Sequence, residues 1–174
     1  MKKGITLCMA VLQCLLLLSF AMCAFAQNQP KENSLPIPKP EDIGQFFALR
    51  DGVLTPLQEE KNISSHDSFP AGHKILTIKR ASSSTVLDST GKFAFVVHLP
   101  DKSIRYFSLR LLKQDKDQRT FRPADGTNDV SFSTSEYADG YYLLTPKSTL
   151  SQGQYVFFFE QNMVADFFYS FAVK

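Results

Sequence analysis

From Glu41 onward, apolar and polar residues alternate with a period of two, which is the pattern of half-buried β-strands. Residues 93–99 and 167–173 show the alternation clearly, because every second residue, counted from the first, is Phe, Tyr, Val or Leu. Turn signals such as Asp51-Gly52 and Pro100-Asp101 separate the runs. No long segment carries the stripe of an amphipathic helix. The sequence therefore predicts an all-β fold, an antiparallel sandwich of about eight or nine strands.

The first 26 residues have the features of a signal peptide. Lys2 and Lys3 precede an apolar stretch, and Ala24-Phe25-Ala26 is an A-x-A cleavage site. An uncleaved anchor is the alternative, because about 20 apolar residues can span a bilayer. The small residues at the cleavage site favour export, with no stable membrane span after cleavage. We therefore expect a periplasmic or secreted protein.

Cleavage of the signal peptide would change the cysteine content and the net charge of the chain. All three cysteines (Cys8, Cys14 and Cys23) would leave with the signal, so the mature chain would have no thiol for a disulfide or a metal. Lys and Arg would fall from 19 to 17, because Lys2 and Lys3 leave, against 17 Asp and Glu. A mature protein with no net charge is not expected to bind nucleic acid, which requires a basic excess.

The remaining 174 − 26 = 148 residues are enough for one domain. Residues 27–40 are polar and contain four prolines, which remove backbone donors and favour an extended chain. We predict a disordered linker over 27–40 and a single β-sandwich domain over 41–174.

The stretch from Leu150 to Tyr155 reads L-S-Q-G-Q-Y. In Greek-key sandwiches, a tyrosine near the start of a late strand bonds through its hydroxyl to the backbone a few residues upstream. The spacing of Leu150, Gly153 and Tyr155 resembles this tyrosine corner of immunoglobulin-like and fibronectin type III-like domains. It implies an immunoglobulin-like sandwich in which Leu150 fills the core and Gly153 allows a tight turn. An ordinary turn is the alternative.

A wider resemblance covers about 130 residues, from Gly44-Gln45-Phe46-Phe47 to Phe168-Tyr169-Ser170-Phe171. The chain is similar to a functionally uncharacterised family of small secreted bacterial proteins, whose members often read G-E-Y-x-F near the end. Here Gln154 replaces the acidic residue. The resemblance implies export and a β domain, and it implies no chemistry.

Residues suited to catalysis or metal binding do not form a recognisable motif. His66, His73 and His98 lack metal-ligand spacing, and Ser82-Ser83-Ser84 lacks the G-x-S-x-G elbow of a serine nucleophile. We expect the serine run to be a flexible loop. We predict no catalytic residue, no metal site and no cofactor. Neighbouring acids such as Glu59-Glu60 and Asp115/Asp117 leave open a glycosidase with two carboxylates across a cleft.

Aromatic residues are the compositional excess. Fourteen of the 16 Phe and all six Tyr follow residue 26, and several are adjacent in predicted strands. Because neighbours in a strand point to opposite faces, one member of each pair needs a second covering layer or forms an exposed patch. Both alternatives remain open. For the exposed patch we predict four contact residues: Phe47, Tyr142, Phe158 and Phe168.

These observations favour an exported, non-catalytic sandwich that binds an unknown protein partner or ligand in the cell envelope or outside the cell. One alternative is an extracytoplasmic hydrolase of polysaccharides that uses loop carboxylates. Another is a structural subunit of an envelope assembly, joined by edge-strand addition.

Overall fold

The computed structural model describes residues 36–68, 73–90, 92–124, 126–161 and 164–174. The predicted signal peptide and most of the predicted linker lie outside the described residues. The strands are β1 Phe46–Arg50, β2 Val53–Pro56, β3 Gln58–Glu59, β4 Ile63–Ser68, β5 His73–Lys79, β6 Val86–Leu87, β7 Ala94–His98, β8 Phe107–Gln114, β9 Gln118–Phe121, β10 Phe132–Ala138, β11 Tyr141–Pro146, β12 Gly153–Gln161 and β13 Val164–Val173. Short 3₁₀ turns cover Ile104–Tyr106 and Gly126–Asn128.

Two sheets form a sandwich, as the alternation predicted. The smaller sheet has the order β10-β11-β7-β1-β2, and all of its neighbours are antiparallel. The larger sheet has the order β3-β13-β12-β8-β9-β5-β4, and β6 pairs in parallel with β13. β13 therefore lies inside the larger sheet, with β12 on one side and the short strands β3 and β6 on the other.

The main core lies between the two sheets and is largely aromatic. The ring of Phe157 on β12 stacks on Phe46 of β1, with 4.7 Å between the centroids, and meets Phe95 of β7 edge-on at 4.9 Å. All three side chains are fully buried. Burying each phenylalanine stabilises the fold by roughly 1.5 to 3 kcal/mol. This is the inward face that the period-two pattern predicted.

A second core covers the other face of the larger sheet. Its buried members are Leu76, Ile78, Leu112, Phe121, Val156, Phe158 and Phe168. The ring centroid of Phe121 on β9 lies 5.1 Å from that of Phe158 on β12 and 6.2 Å from that of Phe168 on β13. Neither β12 nor β13 is a hydrogen-bonded neighbour of β9. The sheet therefore curls, and β5 and β9 cover the outer face of β12 and β13. For Phe158 and Phe168, the sequence left open a second covering layer or an exposed patch, and the structure has the covering layer.

The described residues contain thirteen strands, more than the eight or nine predicted. The pattern missed β3, β4 and β6, which are short or polar edge strands. β4 reads I-S-S-H-D-S and is mostly exposed, so it has no alternation to detect.

Residues 36–40, which the sequence places in the linker, belong to the same compact unit as the sandwich. The hydroxyl of Tyr137 donates to the carbonyl of Pro38 at 2.9 Å, and the ammonium of Lys39 lies 5.3 Å from the ring centroid of Tyr141. These contacts hold residues 36–40 against the smaller sheet.

Candidate binding surfaces

Two of the four predicted contact residues have no exposed ring. Phe158 is fully buried and Phe168 is 9% exposed, and both belong to the second core. The guanidinium of Arg110 also lies 5.2 Å from the ring centroid of Phe158. The expectation that these two rings form a surface patch is therefore wrong, because β5 and β9 cover them.

The other two predicted contact residues lie elsewhere and are half-buried. Tyr142 packs against the main core, and Phe47 is opposite the fully buried Val96 on the neighbouring strand. The structure does not bring the four residues together on one surface. A binding role for Phe47 and Tyr142 stays a prediction.

The late-strand tyrosine has the hydrogen bond that the sequence predicted. The hydroxyl of Tyr155 donates to the carbonyl of Ser151 at 2.8 Å, and both Leu150 and Tyr155 are buried in the main core. Gly153 has a different role from the one expected, since it is not among the residues with positive φ. A Cβ at this position would lie 2.6 Å from Cδ1 of Leu111, so the glycine allows close packing.

A β-bulge breaks the alternation of β13. Phe157 pairs with Tyr169 but Phe159 pairs with Asp166, so β13 has one residue more than β12 over this interval. Within the bulge, Phe167 has a φ of 53°, a conformation that is strained for a residue with a side chain. The pattern placed Phe167 on the core face with Tyr169. The bulge instead leaves Phe167 42% exposed.

The exposed Phe167 belongs to a group that we call the hairpin patch: Lys102, Tyr106, Phe159 and Phe167. The rings of Phe159 and Phe167 are perpendicular, with centroids 6.2 Å apart, and Tyr106 meets Phe159 edge-on at 5.8 Å. The ammonium of Lys102 lies 3.1 Å from the Phe167 centroid and 5.6 Å from that of Phe159. Sequence reasoning missed this group because a period-two pattern does not indicate a bulge.

The base of the hairpin patch is fixed to the core. Phe159 packs edge-on against the buried Phe107 at 5.2 Å, and the guanidinium of Arg105 lies 5.0 Å from the ring centroid of Tyr106. Exposed aromatic rings with adjacent cations on a rigid support are typical of protein-binding hot spots.

The histidine of β7 lies in a second aromatic group. The ring of His98 stacks on Tyr141, with 4.0 Å between centroids and an interplanar angle of 4°. The Nδ1 atom of His98 is buried and has no hydrogen-bond partner among the described residues. Burial raises the pKa of the nearby Tyr137 to about 12, and the neighbouring Tyr141 adds to the shift.

The serine run is held in place, which differs from the flexible loop expected. Ser83 is buried, its Oγ donates to the carbonyl of Ser170 at 3.0 Å, and its N–H donates to Oε1 of Gln154 at 2.9 Å. Gln154 therefore joins the loop to β12.

Two acidic residues are paired with buried arginines. Glu60 accepts a hydrogen bond from Arg119 at 2.7 Å, and Asp129 accepts one from Nε of Arg110 at 2.7 Å. Both arginines are buried. Over the described ranges, no group of three or more His, Cys, Asp or Glu side chains is placed to hold a metal ion. Each ion pair links a strand of the larger sheet, β8 or β9, to a residue outside the strands.

The chain was compared with family models, with curated proteins and with solved structures. No match was found in any of the three comparisons. Within residues 36–174, apart from the gaps given above, no helix is long and apolar enough to cross a membrane.

Proposed function

We propose that this protein is an exported, non-catalytic β-sandwich domain that binds a protein partner in the cell envelope or outside the cell, through the hairpin patch. The observation that carries the proposal is the placement of Phe167. Its ring is 42% exposed at a strained φ of 53°, beside Lys102 and Phe159. A strained φ costs stability, and strained residues often lie at functional sites.

The signal peptide expected from residues 1–26 supports the location. The late tyrosine corner supports an immunoglobulin-like sandwich, a fold that commonly serves in recognition. The partner expected for the hairpin patch has an apolar surface with adjacent carboxylates, because Lys102 and Arg105 flank the rings.

The experiment is site-specific photo-crosslinking in the native cells. A photoreactive phenylalanine analogue replaces Phe167 in the full chain, and a matched protein carries it at Val53, which is 65% exposed. We expect one discrete crosslinked species from position 167 and none of that mass from position 53. Phe167→Ala, combined with a crosslinker at Tyr106, should reduce the yield. Equal crosslinking from positions 167 and 53 contradicts the proposed surface.

Fractionation of the same cells tests the location. The mature amino terminus is expected to be Gln27 in the periplasmic or extracellular fraction. A protein that retains residues 1–26 in the cytoplasm contradicts export without affecting the result for the hairpin patch.

A further inference from the structure

A cleft of about 360 Å³ opens beside the strands β3 and β5, and none of its lining residues belongs to the hairpin patch. It is lined by residues 58–62 together with Lys79 and Arg80. Its volume falls in the lower part of the range that small-molecule pockets occupy, roughly 300 to 1,000 Å³.

The charges that line the cleft do not cancel. Lys61 is paired with Glu59 at 3.1 Å, and Glu60 is paired with the buried Arg119 at 2.7 Å. Among the residues that the structure describes, no carboxylate lies within 4.0 Å of the Lys79 ammonium or the Arg80 guanidinium. The two internal pairs therefore leave a cleft with two unmatched positive charges, both on exposed side chains.

The backbone of Arg80 is held in an unusual conformation. Its φ is 86°, where glycine is favoured and a residue with a Cβ is strained by about 1 kcal/mol or more. Hydrogen bonds fix the residue on both sides. Its N–H donates to the carbonyl of Asp117 at 2.8 Å, and its carbonyl accepts from Nε of Arg119 at 3.0 Å. The result is an arginine whose main chain is rigid and whose guanidinium has no partner in the described residues.

From this arrangement we infer that the cleft binds a small anion through a phosphate or carboxylate group. The planar guanidinium of Arg80 provides two parallel donors for an oxyanion, and the ammonium of Lys79 provides a second positive charge. Asn62, which also lines the cleft, offers an amide group to the neutral part of such a ligand. This site is independent of the hairpin patch and of the proposed protein partner.

The test measures binding of three probes to the full mature protein by isothermal titration calorimetry and by backbone amide shifts. The probes are inorganic phosphate, glucuronate and glucose, at millimolar concentrations. We expect one of the two anions to bind more tightly than the other, and glucose to bind more weakly than either. The anion that binds more tightly identifies the ligand class. The backbone amide shifts that change when it binds should belong mainly to residues 58–62 and 79–80.

Variants make the assignment specific. Arg80→Gln is expected to weaken binding of the preferred anion by about tenfold or more, because a charge-assisted pair is lost. Lys147→Gln removes one exposed charge just after β11 and should leave binding unchanged. Arg80→Gly relieves the strain at positive φ, so it should fold at least as stably as the parent while binding as weakly as Arg80→Gln.

Three results would overturn the inference. They are no binding of either anion, binding that Arg80→Gln does not weaken, and equal weakening by Lys147→Gln. The last would show that the anions respond only to the net charge of the protein.

Discussion

The guanidinium of Arg119 donates a hydrogen bond to Oε1 of Glu60 at 2.7 Å, across 59 positions of sequence, and both side chains are shielded from water. The same carboxylate oxygen accepts a hydrogen bond from Oγ of Ser170 at 2.6 Å, and that hydroxyl accepts one from Nη1 of Arg119 at 3.0 Å. The triad thus joins β9, β13 and the end of β3 inside the larger sheet.

Breaking this ion pair should be costly. Arg119→Met leaves a buried carboxylate without its partner, so we expect the free energy of unfolding to fall by about 3 to 5 kcal/mol in urea denaturation. Lys61→Met, which breaks an exposed pair with Glu59, should cost about 0.5 kcal/mol or less. The double variant Glu60→Leu/Arg119→Met should recover part of the loss. Equal losses for Arg119→Met and Lys61→Met would show that the pair has no structural role.

Truncation of two nearby phenylalanines should separate core from surface. Phe158→Ala removes a fully buried ring and leaves a cavity, so we expect a loss of about 3 to 5 kcal/mol in the free energy of unfolding. Phe167→Ala removes an exposed ring and should change it by about 1 kcal/mol or less. The urea midpoints of both variants give the comparison. Similar losses would mean that Phe167 belongs to the core.

The hydroxyl of Tyr155 is expected to stabilise the turn before β12. Tyr155→Phe removes the hydrogen bond to the Ser151 carbonyl, and should lower the free energy of unfolding by about 0.5 to 1.5 kcal/mol. Tyr106→Phe is the control, because its hydroxyl contacts only the exposed Arg105 in the described residues. Thermal unfolding measures both, and a midpoint unchanged by Tyr155→Phe counts against the tyrosine corner.

Gly140 and Gly44 offer a matched test of how closely the backbone of Pro100 approaches Gly140. Gly140 has a φ of 70°, and a Cβ there would lie 2.9 Å from Cα of Pro100, whereas Gly44 has a φ of 81° and no atom within 4 Å of its Cβ position. Both alanine variants are strained by φ, about 1 kcal/mol each, but only Gly140→Ala also forces backbone atoms apart. We expect Gly140→Ala to have the lower melting temperature. Equal melting temperatures would contradict the close approach.

Stability should fall in alkaline solution. Burial raises the pKa of Tyr169 from 10.0 to about 12, and the carboxylate of Glu59 adds to the shift. Because the folded pKa lies above the unfolded value, the stability that this phenol contributes is complete below pH 10 and is lost as the pH rises towards 12. Urea denaturation at about pH 9 and about pH 11 should show a smaller loss for Tyr169→Phe than for the parent. Identical losses would contradict the shift.

The period-two alternation predicted the sandwich because the residues that β7, β12 and β13 bury in the main core are all aromatic or valine. The spacing of Leu150, Gly153 and Tyr155, which resembles a tyrosine corner, predicted the hydrogen bond of Tyr155. The alternation could not predict the curl of the larger sheet, which depends on contacts between Phe121, Phe158 and Phe168 that are distant in sequence.

The site was predicted less well, for two physical reasons. The curl buried Phe158 and Phe168, and a single extra residue in β13 turned Phe167 outward. A regular alternation of apolar and polar residues indicates neither the curl of the sheet nor the extra residue in β13. Arg80 has no sequence signal either, because its positive φ is held by hydrogen bonds with Asp117 and Arg119, which are distant in sequence.

The position of β13 also determines when the fold can form. This strand contributes Phe171 to the main core and Phe168 to the second, and it is synthesised after every strand that it joins. Until the ribosome has added Val173, both cores lack a wall and the edge of β12 has no partner. Closure of both cores therefore depends on the pairing of β13 with β12, so neither core is complete before this last strand has docked.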